Sequence, residues 1–227
     1  MYIRQLFAQK ECVFSIEVFP PKQQASYEKL QQTLRDMRAL QPDFISVTYG
    51  AGGVSPGGAT TCQLASFIKN ELEVEPLAHL TCMGATEQGL RRTLDELFAA
   101  GIQNLLPLRG DRGPALQPSK RFAHASDLAA FIRGQYGSFG LSGACYPEGH
   151  VESENLARDV QALLYKQQAG VTHLITQLFF DDLYFYRFLN MARKAGVVLP
   201  VSAGVMPIVS KRQIERTVAL SAASCAI

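Results

Sequence analysis

The chain has no uninterrupted apolar run approaching the roughly 20 residues that cross a bilayer, which excludes a membrane-spanning helix. It has no basic tract and a net charge of only +2, so neither nucleic acid nor an acidic membrane surface is indicated as a partner. The first eleven residues lack the apolar core and cleavage site of a signal peptide, which makes the cytoplasm the expected compartment. Cys12, Cys62, Cys82, Cys145 and Cys225 are odd in number and form no C-x-x-C pair, so neither a zinc ribbon nor a disulfide framework is expected. Cys12, Cys82 and Cys145 fall in or beside expected strands and read as small buried hydrophobes. His79, His124, His150 and His173 show no ligand spacing, so no metal site is expected. The glycine-rich stretch 50–58 has neither the spacing of G-x-G-x-x-G nor the Gly-Lys-Ser/Thr of a P-loop, and reads as a mobile loop over a site.

What the chain does have is a series of apolar runs that each end on polar residues. The runs are 14–21, 44–50, 77–81, 104–111, 141–148 and 173–180. Each has the length of a short buried strand, and helical spacing of apolar residues follows. Leu30, Leu34, Met37 and Leu40 set a helix over 26–40 that Pro42 closes. Further helices are expected near 60–70, 87–100, 126–135, 154–169 and 182–195. Gly101, Gly170 and Gly196 cap three of them. A seventh strand over 200–208 leads to a helix over 210–220. The 227 residues thus form one α/β domain of the TIM (β/α)8 type, with seven βα units evident and the eighth strand missing. Either an N-terminal element such as residues 1–8 fills the gap, or the domain is short at its C-terminus. Polar groups at the C-terminal ends of parallel strands are where such barrels place their chemistry. The pattern indicates an enzyme.

Glu17 shares a strand face with Ser15 and Phe19 by the period of two, opposite Ile16 and Val18. A carboxylate in the mouth of a barrel is partly desolvated, which raises its pKa and suits it to general-acid work. An internal ion pair with Arg or Lys is the equally weighted structural reading. Arg109 and Asp111 share a face at the next chemically rich strand end, with Gly110 between them allowing close approach to the backbone. An internal Arg–Asp ion pair accounts for them as well. Gln177 ends an otherwise apolar strand, where its amide is either satisfied in the core or used on a ligand. A single histidine in a strand, such as His79 or His150, is more often a core residue than a catalyst, and Phe179 with Phe180 reads as packing.

In this order, Glu17-Val-Phe-Pro-Pro21, Phe44-Ile-Ser-Val-Thr-Tyr-Gly-Ala51, His79-Leu-Thr-Cys82, Leu108-Arg-Gly-Asp111, Tyr146-Pro-Glu-Gly-His150 and Ile175-Thr-Gln-Leu-Phe-Phe-Asp181 resemble the methylenetetrahydrofolate reductase family from about residue 13 onward. Six motifs in register make the resemblance specific. It implies a flavoprotein that reduces 5,10-methylenetetrahydrofolate to 5-methyltetrahydrofolate, in the one-carbon metabolism that serves methionine biosynthesis. FAD would be the bound cofactor, and NADH or NADPH the reductant in a ping-pong cycle. By resemblance Glu17 is the general acid that assists ring opening, and Asp111 lies near flavin and pterin. Gln177 and Phe179 fall at substrate-binding positions. Thr48, Tyr49, His79, Leu108, Arg109, Gly110, Asp111, Ala144, Tyr146, His150, Asp159 and Lys166 match positions that line FAD. The cofactor supplies the hydride chemistry and the strand ends supply orientation and the acid. The resemblance leaves a homo-oligomer open, and the sequence does not choose between NADH and NADPH.

The chain departs from the family pattern in three places. His124 stands where a tyrosine often contacts the flavin, and Ala162 and Leu164 replace commonly polar or basic residues. The sequence ends where the family continues with a last βα unit bearing an aromatic residue and an arginine. Beside the reductase stands a second reading, a truncated non-catalytic remnant that binds flavin or folate. A third, a lyase or aldolase barrel, wants a Schiff-base lysine or phosphate-binding glycines late in the chain. Strand seven offers Ser202 and Gly204 but no lysine before Lys211.

Overall fold

Seven of the apolar segments become parallel strands in the computed structural model, which describes residues 1–21, 24–49, 57–111, 119 and 121–215. The strands are β1 (Ser15–Val18), β2 (Phe44–Val47), β3 (Glu75–Thr81), β4 (Asn104–Leu108), β5 (Gly140–Cys145), β6 (His173–Thr176) and β7 (Val201–Ser202). The helices are α1 (Ile3–Gln9), α2 (Gln24–Met37), α3 (Gly57–Asn70), α4 (Glu87–Ala99), α5 (Ala125–Gln135), α6 (Leu156–Gln168) and α7 (Asp182–Lys194). A short 3-10 turn, Arg38–Leu40, extends α2. Strand and helix alternate from β1 onward, and every strand is parallel to its neighbour in chain order. This is the TIM-barrel type of α/β fold, with seven strands among the described residues.

Two compact units divide the chain, Met1–Leu141 and Ser142–Ile227. In the first, β1 to β4 pair in order and Gly140–Leu141 pair with β4. All four residues of β2 are buried and the five central residues of β3 are too, as expected for parallel strands covered on both faces. Helix α4 buries Leu90, Leu94 and Leu97, spaced to form one stripe, and Thr86 caps it by accepting the Gly89 N–H at 3.1 Å. In the second unit, Ser142 to Cys145 pair with β6, and β6 with β7. Asn155 caps α6 through the Arg158 N–H, and Asp181 caps α7 through the Leu183 N–H. Gly101, Gly170 and Gly196 end α4, α6 and α7 with φ of +76°, +95° and +95°, a region in which a Cβ is strained.

Three expectations are corrected. Residues 3–9 are helical, so the N-terminus supplies no eighth strand; α1 instead buries Ile3 and Leu6. Asn104 at the start of β4 holds it, accepting the Ile3 N–H at 2.9 Å and donating to the Met1 carbonyl at 2.9 Å. β7 is two residues long rather than nine. After Ser202 the backbone closes on β6: Gly204 N–H donates to Thr176 Oγ1 at 2.8 Å, and a Cβ on Gly204 would lie 2.6 Å from the Thr176 carbonyl oxygen. Beyond it Val205 and Val209 are more than 80% exposed. Cys12 is exposed, because it lies in the irregular segment before β1, whereas Cys82 and Cys145 are buried. The expected helix over 210–220 is present at 211–215, and its remainder lies outside the described residues, as do positions 50–56 of the glycine-rich stretch and Cys225.

Candidate active site

The unit Met1–Leu141 brings three polar side chains together on adjacent strands. Glu17 on β1 is the register partner of Ser46 on β2, and Ser46 is opposite Leu77 on β3, two residues before His79. Ser46 Oγ lies 2.7 Å from His79 Nε2, and Glu17 Oε2 lies 3.7 Å from the same nitrogen. His79 is buried, and desolvation pushes its pKa down to about 3, so the imidazole is neutral. The Glu17 side chain is 46% exposed. Partial burial nonetheless raises its pKa, with a hydrogen bond from Ser46 acting in the opposite direction. Among the described residues the nitrogen within 4 Å of the Glu17 carboxyl belongs to His79 rather than to an Arg or Lys.

Thr48 and Tyr49 follow β2 and are partly exposed. Thr48 N–H bonds the Val18 carbonyl at 3.0 Å, and its own carbonyl accepts the Thr61 hydroxyl at 3.0 Å. Leu108 ends β4, and Arg109, Gly110 and Asp111 lead out of it, with Asp111 exposed. Arg109 Nε donates to the Gly110 carbonyl at 3.1 Å. Gly110 has φ +90°, and a Cβ there would meet Met83 Cβ at 3.0 Å and Thr81 Cβ at 3.2 Å. Only glycine passes this turn without moving β3's exit.

The unit Ser142–Ile227 carries a second set. Tyr146 leaves β5 and meets His150 edge to face at 4.8 Å between ring centres. Asp159 on α6 accepts the His150 N–H at 2.8 Å. Lys166 Nζ, two turns further along the same helix, donates to the Ala144 carbonyl at 2.6 Å, and burial lowers its pKa. Gln177 stands exposed just past β6, which excludes the core-glutamine reading, and its Oε1 accepts the Leu178 N–H at 2.8 Å. Phe179 stacks on Phe185 at 5.2 Å and 9°, the packing role read from the sequence. His124 stands at the N-cap of α5, its N–H donating to Asp127 at 2.8 Å.

Sequence reasoning missed Ser46, although its place between apolar neighbours on β2 was the available signal. It also missed a buried chain in the second unit. His173 Nδ1 lies 3.0 Å from Ser142 Oγ, and Nε2 lies 2.9 Å from Ser202 Oγ, so one imidazole ties β5, β6 and β7. Among the described residues no group of His, Cys, Asp and Glu is placed to hold a metal ion, and no helix is long and apolar enough to cross a membrane.

Tyr146, His150, Asp159 and Lys166 of the unit Ser142–Ile227, and Thr48, Arg109 and Gly110 of Met1–Leu141, are the polar and main-chain groups at or near strand ends that could hold a cofactor.

The fold defines the class: an α/β protein of the TIM-barrel type. A family model described as methylenetetrahydrofolate reductase matches residues 2–226. The chain therefore belongs to the methylenetetrahydrofolate reductase family, whose members are oxidoreductases. It is 36% identical over 220 residues to methylenetetrahydrofolate reductase (NADH) 1 of Arabidopsis thaliana, covering 91% of this chain and 37% of that protein. It is 33% identical over 202 residues to 5,10-methylenetetrahydrofolate reductase of Escherichia coli K12, covering 89% of this chain and 67% of that one. The chain thus spans little more than a third of its plant relatives. Among solved structures, a Clostridium thermocellum protein that binds two copies of 5-methyl-5,6,7,8-tetrahydrofolic acid matches with TM-score 0.68 at 16% identity, over 96% of this chain and 74% of that one. A 2,3-dimethylmalate lyase matches with TM-score 0.61 at 10% identity, over 95% and 76%. At these identities the two structures bear on the fold alone.

Proposed function

We propose that this chain is the catalytic barrel of a reductase that converts 5,10-methylenetetrahydrofolate to 5-methyltetrahydrofolate, with FAD as cofactor and NADH or NADPH as reductant. The observation that carries the reading is Glu17: a carboxyl with a raised pKa, at the end of β1, in a chain matched by the family model from residue 2 to 226. Burial pushes the Glu17 pKa up, the direction that suits a general acid. Glu17 gives its proton to the folate nitrogen that leaves as the five-membered ring opens, and the freed one-carbon unit accepts a hydride to become a methyl group. FAD, when bound, would supply that hydride chemistry, with the nicotinamide nucleotide as the source of reducing equivalents.

Thr48, Tyr49, His79, Leu108, Arg109, Gly110 and Asp111 from one unit, and Ala144, Tyr146, His150, Asp159 and Lys166 from the other, are the residues proposed to hold the cofactor. Gln177 and Phe179 are proposed for the folate. The plant relatives carry NADH in their names, which favours NADH as the first reductant to try.

The test is an absorption spectrum after loading with FAD and desalting, followed by anaerobic NADH and then methylenetetrahydrofolate. A retained flavin band that bleaches and recovers is the expected result. A colourless protein sinks the proposal, and a retained band that neither NADH nor methylenetetrahydrofolate changes leaves the non-catalytic flavin-binding remnant. Glu17→Gln is expected to keep NADH-driven bleaching and slow folate-driven recovery by about 10²–10⁴-fold. Equal loss of both half-reactions refutes the acid role.

A further inference from the structure

We propose that Ser46 and His79 form a positioning pair for the Glu17 carboxyl, in which His79 Nε2–H donates to Ser46 Oγ and the Ser46 hydroxyl donates to Glu17. The inference rests on the reading of Glu17 as proton donor. The register places Glu17 and Ser46 side by side on β1 and β2, and Ser46 opposite Leu77 on β3, from where His79, two residues on, reaches the serine. Ser46 Oγ and His79 Nε2 are 2.7 Å apart, a full hydrogen bond. Glu17 Oε2 is 3.7 Å from the same nitrogen, beyond hydrogen-bond distance, so His79 acts on the carboxyl through the serine.

Proton counting fixes the direction. A serine has one hydrogen to give, and a neutral imidazole has one N–H. Ser46 is the register partner of Glu17, and a side-chain hydrogen bond from it acts to lower the Glu17 pKa. When Glu17 is charged, the hydrogen between Ser46 and His79 then comes from the ring, which assigns the Nε2–H tautomer to His79 in that state. Burial keeps that ring neutral throughout the working range.

Within the three strands that carry it, this pair has little competition. β2 contributes no ionisable side chain. β3 contributes His79 and Glu75, and Glu75 is engaged at the opposite end of the strand by Lys69 and the Met1 ammonium. β1 contributes Glu17 alone. A donor chain aimed at a carboxylate is stronger once the carboxylate is charged. It therefore steadies the form of Glu17 that remains after protonation of the folate, and opposes the effect of burial. The pair aims the acid and limits how far its pKa rises.

The test is a carbon-13 carboxyl NMR titration of the full chain, with Glu17→Gln used to assign the Glu17 signal, together with nitrogen-15 spectra of His79. Ser46→Ala is expected to move the Glu17 titration to higher pH, and Ser46→Thr, which keeps the hydroxyl, to leave it where the parent has it. In the flavin-loaded protein, the pH profile of folate reduction shifts in the same direction for Ser46→Ala only. An unmoved Glu17 titration in Ser46→Ala overturns the proposal. If that variant does not fold, the parent's His79 spectrum decides, taken above the pH at which the Glu17 signal titrates: a proton on Nδ1 rather than Nε2 there overturns it. Glu17→Gln that still reduces folate at the parent rate overturns the acid role instead, a separate outcome from either of these.

Discussion

Replacing Asn104 by alanine tests how the lower rim of the first unit is held. Asn104 is 2% exposed and its amide is fully employed. Oδ1 accepts the Ile3 N–H at 2.9 Å, and Nδ2 donates to the Met1 carbonyl at 2.9 Å and to Glu75 Oε2 at 3.3 Å. Alanine removes two well-formed bonds and one long one, each with a net value of about 1 kcal/mol, and strands the buried Ile3 N–H. The site is too tight to rearrange easily, since a Cβ on neighbouring Gly140 would already stand 2.8 Å from Asn104 Oδ1. The expected loss is about 2–4 kcal/mol, read as a lower urea midpoint with an unchanged slope. Hydrogen exchange at Ile3 should accelerate with it, because α1 loses its attachment to β4. A loss below about 0.5 kcal/mol, with Ile3 as protected as before, refutes the assignment of α1's anchoring to this amide.

Two further outcomes follow from buried groups. His79 and His173 are both held neutral, with pKa values lowered by burial to about 3. Above the unfolded value near 6.5 neither state carries their protons; below it the unfolded chain binds them and the folded chain does not, so stability falls progressively from about pH 6.5 toward pH 3. Urea midpoints measured from pH 7 to pH 4 should fall with a limiting slope of about 1.4 kcal/mol per pH unit for each histidine, and a flat profile contradicts the burial assigned to them. Gly110→Ala forces a Cβ to 3.0 Å from that of Met83 at φ +90°, and should lower stability by about 1–3 kcal/mol and weaken FAD retention. A variant as stable and as yellow as the parent shows that the turn has room the geometry denies it.

The strands were legible because fully buried parallel strands are written as short apolar runs, and β2 and β3 are read from composition alone. Their polar ends were read as strand and are not. Thr48, Arg109, Tyr146 and Gln177 each lie just past the last strand residue, where the chain turns toward its helix. α1 was missed because seven residues with only Ile3 and Leu6 buried make too short a stripe to distinguish from a strand. The candidate site was legible as individual residues, Glu17 above all. The Ser46–His79 pairing was not, because periodicity gives the face of each side chain and the inter-strand register gives its neighbour. The same limit hid the His173 bridge. Cys12 was misplaced because nearness to a strand says nothing of burial where the backbone has not yet entered the sheet.

The cysteines divide in a way that makes the chain its own gauge of opening. Cys82 lies in the first unit and Cys145 in the second, each fully covered, and burial pushes their thiols up to about 11 and about 12. Since the thiolate is the form that reacts, an alkylating reagent at neutral pH meets neither until the surrounding structure parts. Cys12 stands in solvent and reacts without that delay. Labelling at positions 82 and 145 therefore reports separately on how often each unit breathes, and does so with residues the protein already has.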